Sequence, residues 1–549
     1  MKLYKSIAGI CLALSIFSSC TKDLDKDTPD QFTDDNFWTS ENNVRTYNWS
    51  FYSLFTGFGT GTTGDFYFSS FTDDQAASTF QNFALTAPTT SSDWNWTYIR
   101  KANIMLERID QVPMSDEAKR HWKGVAHFFR AMDYFNKVKT FGDVPFINKS
   151  LDVSETDQIY KARDPRTLVM DSVLSDINYA VANLRVKDQD NTVNQDVALA
   201  LKARICLYEG SYRVYHTELG LPDAEKFLTQ AKDASEKLMT GKYLLGDYKA
   251  LYSSMDLAGN KEILLYKRYV TAILTHSVIG YTNSTTQMSG LTKSAVDSYT
   301  TTDGLPISQS PLYKGDATIT DVRTNRDNRL LVTVDNFLAY NGNLVNGLSS
   351  STGYRPAKFL QPASNQLAPY NETDAPILWY AEVLLNYAET CAILEKIGKY
   401  VVTQTDLDKS VNLLRKRGGI AALTLNGAGS VSASGTIIND PKRDADISPL
   451  MWEIRRERRV EFMMDGFRYT DLMRWKKGEY LDKAKNPEAF LGAKVPANGK
   501  VQLDANGYIK PYSDALTRTF VDPKNYLSAI PTGQISLYPP GVLTQNPGW

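Results

Sequence analysis

The sequence predicts an all-α-dominated fold: antiparallel helix pairs stacked side by side, interrupted by long loop-rich excursions that hold a few short strands. Apolar residues recur at three- and four-residue spacing through 42–55, 94–109, 116–140, 165–184, 194–216 and 223–239, the mark of helices with one buried face. Consecutive amphipathic helices joined by short turns bury those faces against each other. Two stretches, 56–92 and 243–371, lose this period. Their aromatics and turn pairs such as Asn341-Gly342 and Asp303-Gly304 argue for ordered excursions rather than disorder.

The N-terminus reads as an export signal. Lys2 and Lys5 precede an apolar run over 7–17, then Ser18, Ser19 and Cys20; the run is too short to span a bilayer as a stable helix. Small residues before a cysteine predict signal removal over 1–19 and lipidation of Cys20. An acidic tether follows over 20–40, where Asp23, Asp25, Asp27 and Asp34 imitate calcium-loop spacing. Thr28 stands in place of the turn glycine and Asp34 in place of a bidentate Glu, so a solvated tether is expected and structural calcium is not supported. Cys11 leaves with the signal, and Cys206 and Cys391, inside apolar helical stretches, are expected as core thiols.

The main domain is expected over 41–549, its scaffold over about 42–240, 374–425 and 448–478, with excursions at 56–92 and 243–371. In 194–208, Val197, Leu201, Ile205 and Tyr208 form one face. The insertion 426–448, rich in small residues, reads as a mobile surface loop. The scaffold's last part reads as a helix, a glycine break and a second helix: the first helix opens at Ser448-Pro449, an N-cap followed by the residue best suited to the first helical position, and Gly466 reads as its stop. Within it Glu457, Arg458, Arg459 and Glu461 stand among Ile454, Val460, Phe462, Met463 and Met464. Such a helix cannot keep every charge in water, so a buried ion network joined by Arg468 is expected, with Glu453–Arg456 and Arg458–Glu461 as pairs one turn apart.

Net charge is -1 and no basic stripe appears, so nothing in the sequence points to nucleic acid. The four histidines show no zinc-ligand spacing, and no nucleophile elbow, phosphate loop or dinucleotide fingerprint appears. Non-enzymatic sugar binding asks for less: aromatic rings for pyranose faces, and Asp, Asn, Gln or Arg for the hydroxyls. The first excursion supplies Phe66, Tyr67, Phe68, Asp73, Asp74 and Gln75, then Trp94 and Trp96; the second supplies His276, Tyr281, Asn283 and Gln287. Trp94 is favoured over Trp96, which begins the periodic helix. The expected ligand set is therefore Trp94, Tyr67, Phe68, Asp73, Asp74, Tyr281 and Asn283, with no metal or cofactor.

Several segments also carry a resemblance. Glu457-Arg458-Arg459-Val460-Glu461-Phe462, with Gly466-Phe467-Arg468 and Asp471-Leu472-Met473-Arg474-Trp475 after it, resembles the signature of the SusD/RagB family, the surface glycan-binding lipoproteins of Bacteroidota. Ile99-Arg100-Lys101-Ala102-Asn103, Phe141-Gly142-Asp143-Val144-Pro145, Arg326-Asp327-Asn328-Arg329-Leu330 and the closing Gln545-Asn546-Pro547-Gly548-Trp549 are similar to family segments. Trp379 stands where many relatives carry Arg, and Phe17 where the lipobox usually has Leu. The resemblance implies a stack of tetratricopeptide-type pairs anchored by lipid at the outer-membrane surface. It also implies capture of oligosaccharide or polysaccharide for a SusC-like TonB-dependent transporter. Alternatives are a peptide receptor of the same family and a surface glycoside hydrolase.

Overall fold

The computed structural model describes residues 37–60, 72–279, 289–364, 367, 369–427 and 429–549. Local signals set the helix ends. Helix α1 (Glu41–Asn48) starts where the Ser40 hydroxyl accepts from the Asn43 amide, and it tightens into a 3-10 turn over Trp49–Leu54. After α2 (Thr97–Arg108) comes α3 (Asp116–Phe141), capped by Ser115 and ended by Gly142 at φ 75°, a backbone shape that glycine adopts without strain. Helices α4 (Arg166–Asn183), α5 (Gln195–Tyr215) and α6 (Ala224–Leu238) follow. Then come α7 (Tyr380–Lys396), α8 (Val411–Arg417), α9 (Pro449–Glu461) and α10 (Phe467–Arg474).

Each of α2 to α7 packs on the next, and α7 packs on α9, so the helices form one layered stack. Gly210 of α5 lies against Leu228 of α6, where a Cβ would stand 2.7 Å from Leu228 Cγ; that absence of a side chain sets how closely the pair approaches. Cys206 and Cys391 are buried free thiols in the stack.

The excursions are held by short antiparallel pairings. Strand β1 (Gln75–Ala77) pairs with β3 (Ser289–Leu291), tying the first excursion to the second. Strand β2 (Ile263–Lys267) pairs with β6 (Ala375–Trp379), which runs directly into α7. Strand β4 (Val334–Leu338) pairs with β5 (Tyr354–Pro356). The 426–448 insertion differs from the expected mobile loop. Val431–Ala433 is a buried strand between Thr424–Leu425 and Thr436–Ile437, because Val431 and Ala433 find apolar cover against the main core. The helix stop also moves. Helix α9 ends before Phe462, Met464 takes the left-handed conformation (φ 71°), and Gly466 (φ 83°) opens α10 instead of closing α9.

Candidate functional site

Trp94 and Trp96 frame a groove of about 370 Å³, roofed by residues from the far end of the chain. Asn103 of α2 donates to the carbonyls of Ile147 (3.1 Å) and Lys149 (3.0 Å), and Arg100 donates to that of Leu151 (2.6 Å), which fixes the 145–151 segment as one wall. The Thr532 and Gly533 amides bond to the Pro88 and Thr89 carbonyls, and this brings Gln534 and Tyr538 in as the other wall. Groove size and lining, apolar with a few polar groups, suit a small ligand.

Exposure reverses the expected order of the two tryptophans. Trp94 is only 8% exposed and packs edge-on to Phe141, ring centres 5.0 Å apart. Trp96 caps α2 and stays half-buried, with the Lys137 ammonium 4.8 Å from its ring centre. Trp96 therefore offers the more accessible ring face. Its buried Nε1 has no hydrogen-bond partner among the described residues.

Asp73 and Asp74 lie elsewhere and are buried. Asp73 accepts from Arg468 through both oxygens at 2.8 Å and lies 3.1 Å from Arg459; Asp74 accepts from Arg459 at 2.7 Å. Against the cost of burial, the two arginines hold the Asp73 carboxyl well below the usual range, whereas burial raises that of Asp74. Both carboxylates spend their lone pairs inside the protein, so in place of the ligand contacts expected of them the structure shows ion-pair partners. Tyr67, Phe68, Tyr281, Asn283 and Cys20 lie outside the described residues. His276 is fully buried and bonds to the Thr373 carbonyl; burial lowers its pKa to about 3.

The charges of α9 form a buried network with distant partners. Arg329 reaches Asp327 (2.6 Å), Glu457 (2.6 Å) and Glu461 (2.8 Å), and Arg417 joins Glu461 to Glu262. Arg458 pairs with Asp471 (2.7 Å), and Arg474 with Glu389 (2.5 Å). Glu453–Arg456 pair on adjacent turns at 3.1 Å, but the expected Arg458–Glu461 pair does not form, because α10 and the 327–329 segment supply better-placed partners.

A second cleft, of about 380 Å³, was not anticipated from sequence. Phe135 and Asn136 of α3, Arg204 and Tyr208 of α5, Trp379 of β6 and Phe467 of α10 line it, so no single stretch of sequence spans it. Among the described residues no group of three or more His, Cys, Asp and Glu is placed to hold a metal ion, and no helix is long and apolar enough to cross a membrane.

A layered stack of helix pairs with loop-built excursions defines an all-α-dominated helical-repeat protein. The chain belongs to the SusD family, whose sequence model matches residues 269–549; a second model, described as "Starch-binding associating with outer membrane", matches 21–207. SusD-like protein P38 of Formosa agariphila is 27% identical over 235 residues, which is 40% of this chain and 46% of that protein. SusD-like protein P25 of the same organism is 23% identical over 277 residues, 46% and 49% of the two chains. The matches thus span about half the length of these relatives. A crystal structure of a SusD-like protein from Bacteroides fragilis shares the fold at TM-score 0.69 and 23% identity, covering 95% of this chain and all of that one. A laminarin-binding SusD-like protein does so at TM-score 0.60 and 16% identity, covering 93% of this chain and 100% of that one.

Proposed function

We propose that this chain is a glycan-binding lipoprotein of the outer-membrane surface, anchored through Cys20, that captures oligosaccharides or polysaccharide and passes them to a SusC-like TonB-dependent transporter. The groove at Trp96 is the observation that carries the binding part. It sets the half-buried Trp96 and Tyr538 rings beside Arg100, Lys149 and Gln534, a set that stacks on sugar C–H faces and bonds to hydroxyls. Glycoside hydrolysis needs two carboxylates flanking the scissile bond. The described wall presents cationic and amide groups instead, which supports capture over cleavage. Membership of the SusD family and the "starch-binding" description of one matching model support the ligand class.

Affinity electrophoresis of the mature chain through gels holding plant, microbial and host polysaccharides tests this reading. Retardation by one polysaccharide without shortened products, lost in Trp96→Ala, is the expected result. Retention by peptides with none by any glycan would overturn it. Unchanged uptake of the ligand after deletion of the partner transporter gene would overturn the delivery step.

A further inference from the structure

On the far side of α9 from the Arg329 network is a small recess whose wall holds five cations, Arg455, Arg456, Arg459, Arg468 and Lys477, against one carboxylate, Asp444. Four of these cations already have partners. Arg456 pairs with Glu453 and Asp440, Arg459 with Asp73 and Asp74, Arg468 with Asp73, and Lys477 with Asp444 and Asp446. Of those carboxylates only Asp444 reaches the recess wall, where the Tyr480 hydroxyl also donates to it at 2.7 Å.

Arg455 is different. It is 5% exposed and sandwiched by rings, with its guanidinium carbon 4.3 Å from the Trp475 ring centre and 4.8 Å from that of Tyr215. Among the described residues its Nε and Nη2 are buried without a hydrogen-bond partner of ordinary geometry, although the Tyr215 hydroxyl interacts with the guanidinium; no carboxylate there forms an ion pair with it, and Glu389 and Asp446 feel its charge only from farther off. A buried cation with unsatisfied N–H groups costs far more than an exposed one. Stacking on two rings offsets part of that cost but leaves the in-plane donors empty. A guanidinium edge with adjacent unfilled donors is the group that takes an oxyanion through two parallel hydrogen bonds.

We propose that this recess is an oxyanion-binding site in which Arg455 is the principal donor, filled by sulfate or phosphate either free or as an ester on a saccharide. Its volume of about 70 Å³ holds a few waters or one tetrahedral oxyanion. Trp452 and Tyr480, both half-buried in the wall, give a sugar ring bearing that ester an apolar surface to lie on. The site for the free ion stands apart from the glycan reading; only the saccharide arm rests on it.

Crystals of the full chain soaked in selenate test the site directly, because selenium's anomalous signal marks the ion. A peak within hydrogen-bonding distance of Arg455 Nε or Nη2 is expected, and a recess holding only water would overturn the proposal whatever the variants do. In solution, equilibrium dialysis with sulfate should show at least a tenfold loss of affinity in Arg455→Gln, with the fold checked by circular dichroism. Unchanged sulfate binding in that variant would also overturn it. A sulfated monosaccharide binding tenfold tighter than free sulfate identifies the saccharide as the source, and equal affinity identifies the free ion. Loss of neutral-glycan retention in Trp96→Ala reports on the other groove and leaves these outcomes untouched.

Discussion

Replacing Arg329 with methionine removes the one guanidinium that three carboxylates share. Arg329, Asp327, Glu457 and Glu461 are each no more than 2% exposed, and the three ion pairs measure 2.6 to 2.8 Å. Without Arg329, Glu457 keeps, among the described residues, only Arg415 at 3.6 Å, and Glu461 keeps Arg417. Breaking one buried pair costs about 3–5 kcal/mol, so a loss of at least about 4 kcal/mol is expected, a large part of the roughly 5–15 kcal/mol that holds a typical domain together. The deficit is electrostatic and should depend on pH. Burial already raises the Glu457 pKa with Arg329 in place, and removing the cation raises it further. A carboxyl with a raised folded pKa binds protons more readily folded than unfolded, so the variant regains stability as pH falls. Urea unfolding followed by tryptophan fluorescence at pH 7.5, 6.5 and 5.5 should therefore show a gap from wild type that narrows toward acid. Adding Glu457→Gln to the variant should recover part of the loss. A deficit under about 1 kcal/mol, or one constant across this range, would refute the reasoning, the second by pointing to lost packing instead of stranded charge.

Three further outcomes follow from the same geometry. Asp73→Asn should lower the melting temperature while leaving any glycan retention of the folded protein intact, since Asp73 serves Arg459 and Arg468; lost retention with unchanged melting would make it a ligand contact. Gly492→Ala should destabilise by about 1–3 kcal/mol in urea, because its Cβ would overlap the Thr352 backbone, which cannot swing aside. Burial lowers the pKa values of His121 and His216 to about 4 and of His276 to about 3. Their stabilisation is complete above the unfolded value near 6.5 and is lost as pH falls from there to about 4 for His121 and His216 and to about 3 for His276. Asp465, raised to about 6 by burial, works in the opposite sense, so the acid-side loss between pH 6.5 and 5 should flatten in His276→Gln if the folded variant keeps its packing.

The sequence by itself determined where most helices begin and end, and why. Ser115, Asn194 and Ser448 each cap a helix through a side-chain oxygen, as their positions before apolar-periodic segments predict. Gly142 ends α3 where the pattern stops. These are local effects, decided within a turn or two of chain. The charges embedded in α9 likewise announced a buried network, because no single stripe of that helix could exclude them. Which partners they took was decided only in three dimensions. Glu461 is three residues from Arg458 yet pairs with Arg329 and Arg417, and Asp73 and Asp74 meet Arg468 and Arg459 across sequence separations of 395 and 385 residues. The Trp96 groove is similar, since its walls come from 94–103, 145–159 and 534–538. The exposure that favours Trp96 over Trp94 depends on Phe141 arriving beside one ring and not the other. Helical period and capping are written into neighbouring residues, whereas ion partners and groove walls depend on which distant surfaces the packed stack brings together, and no spacing along the chain encodes that.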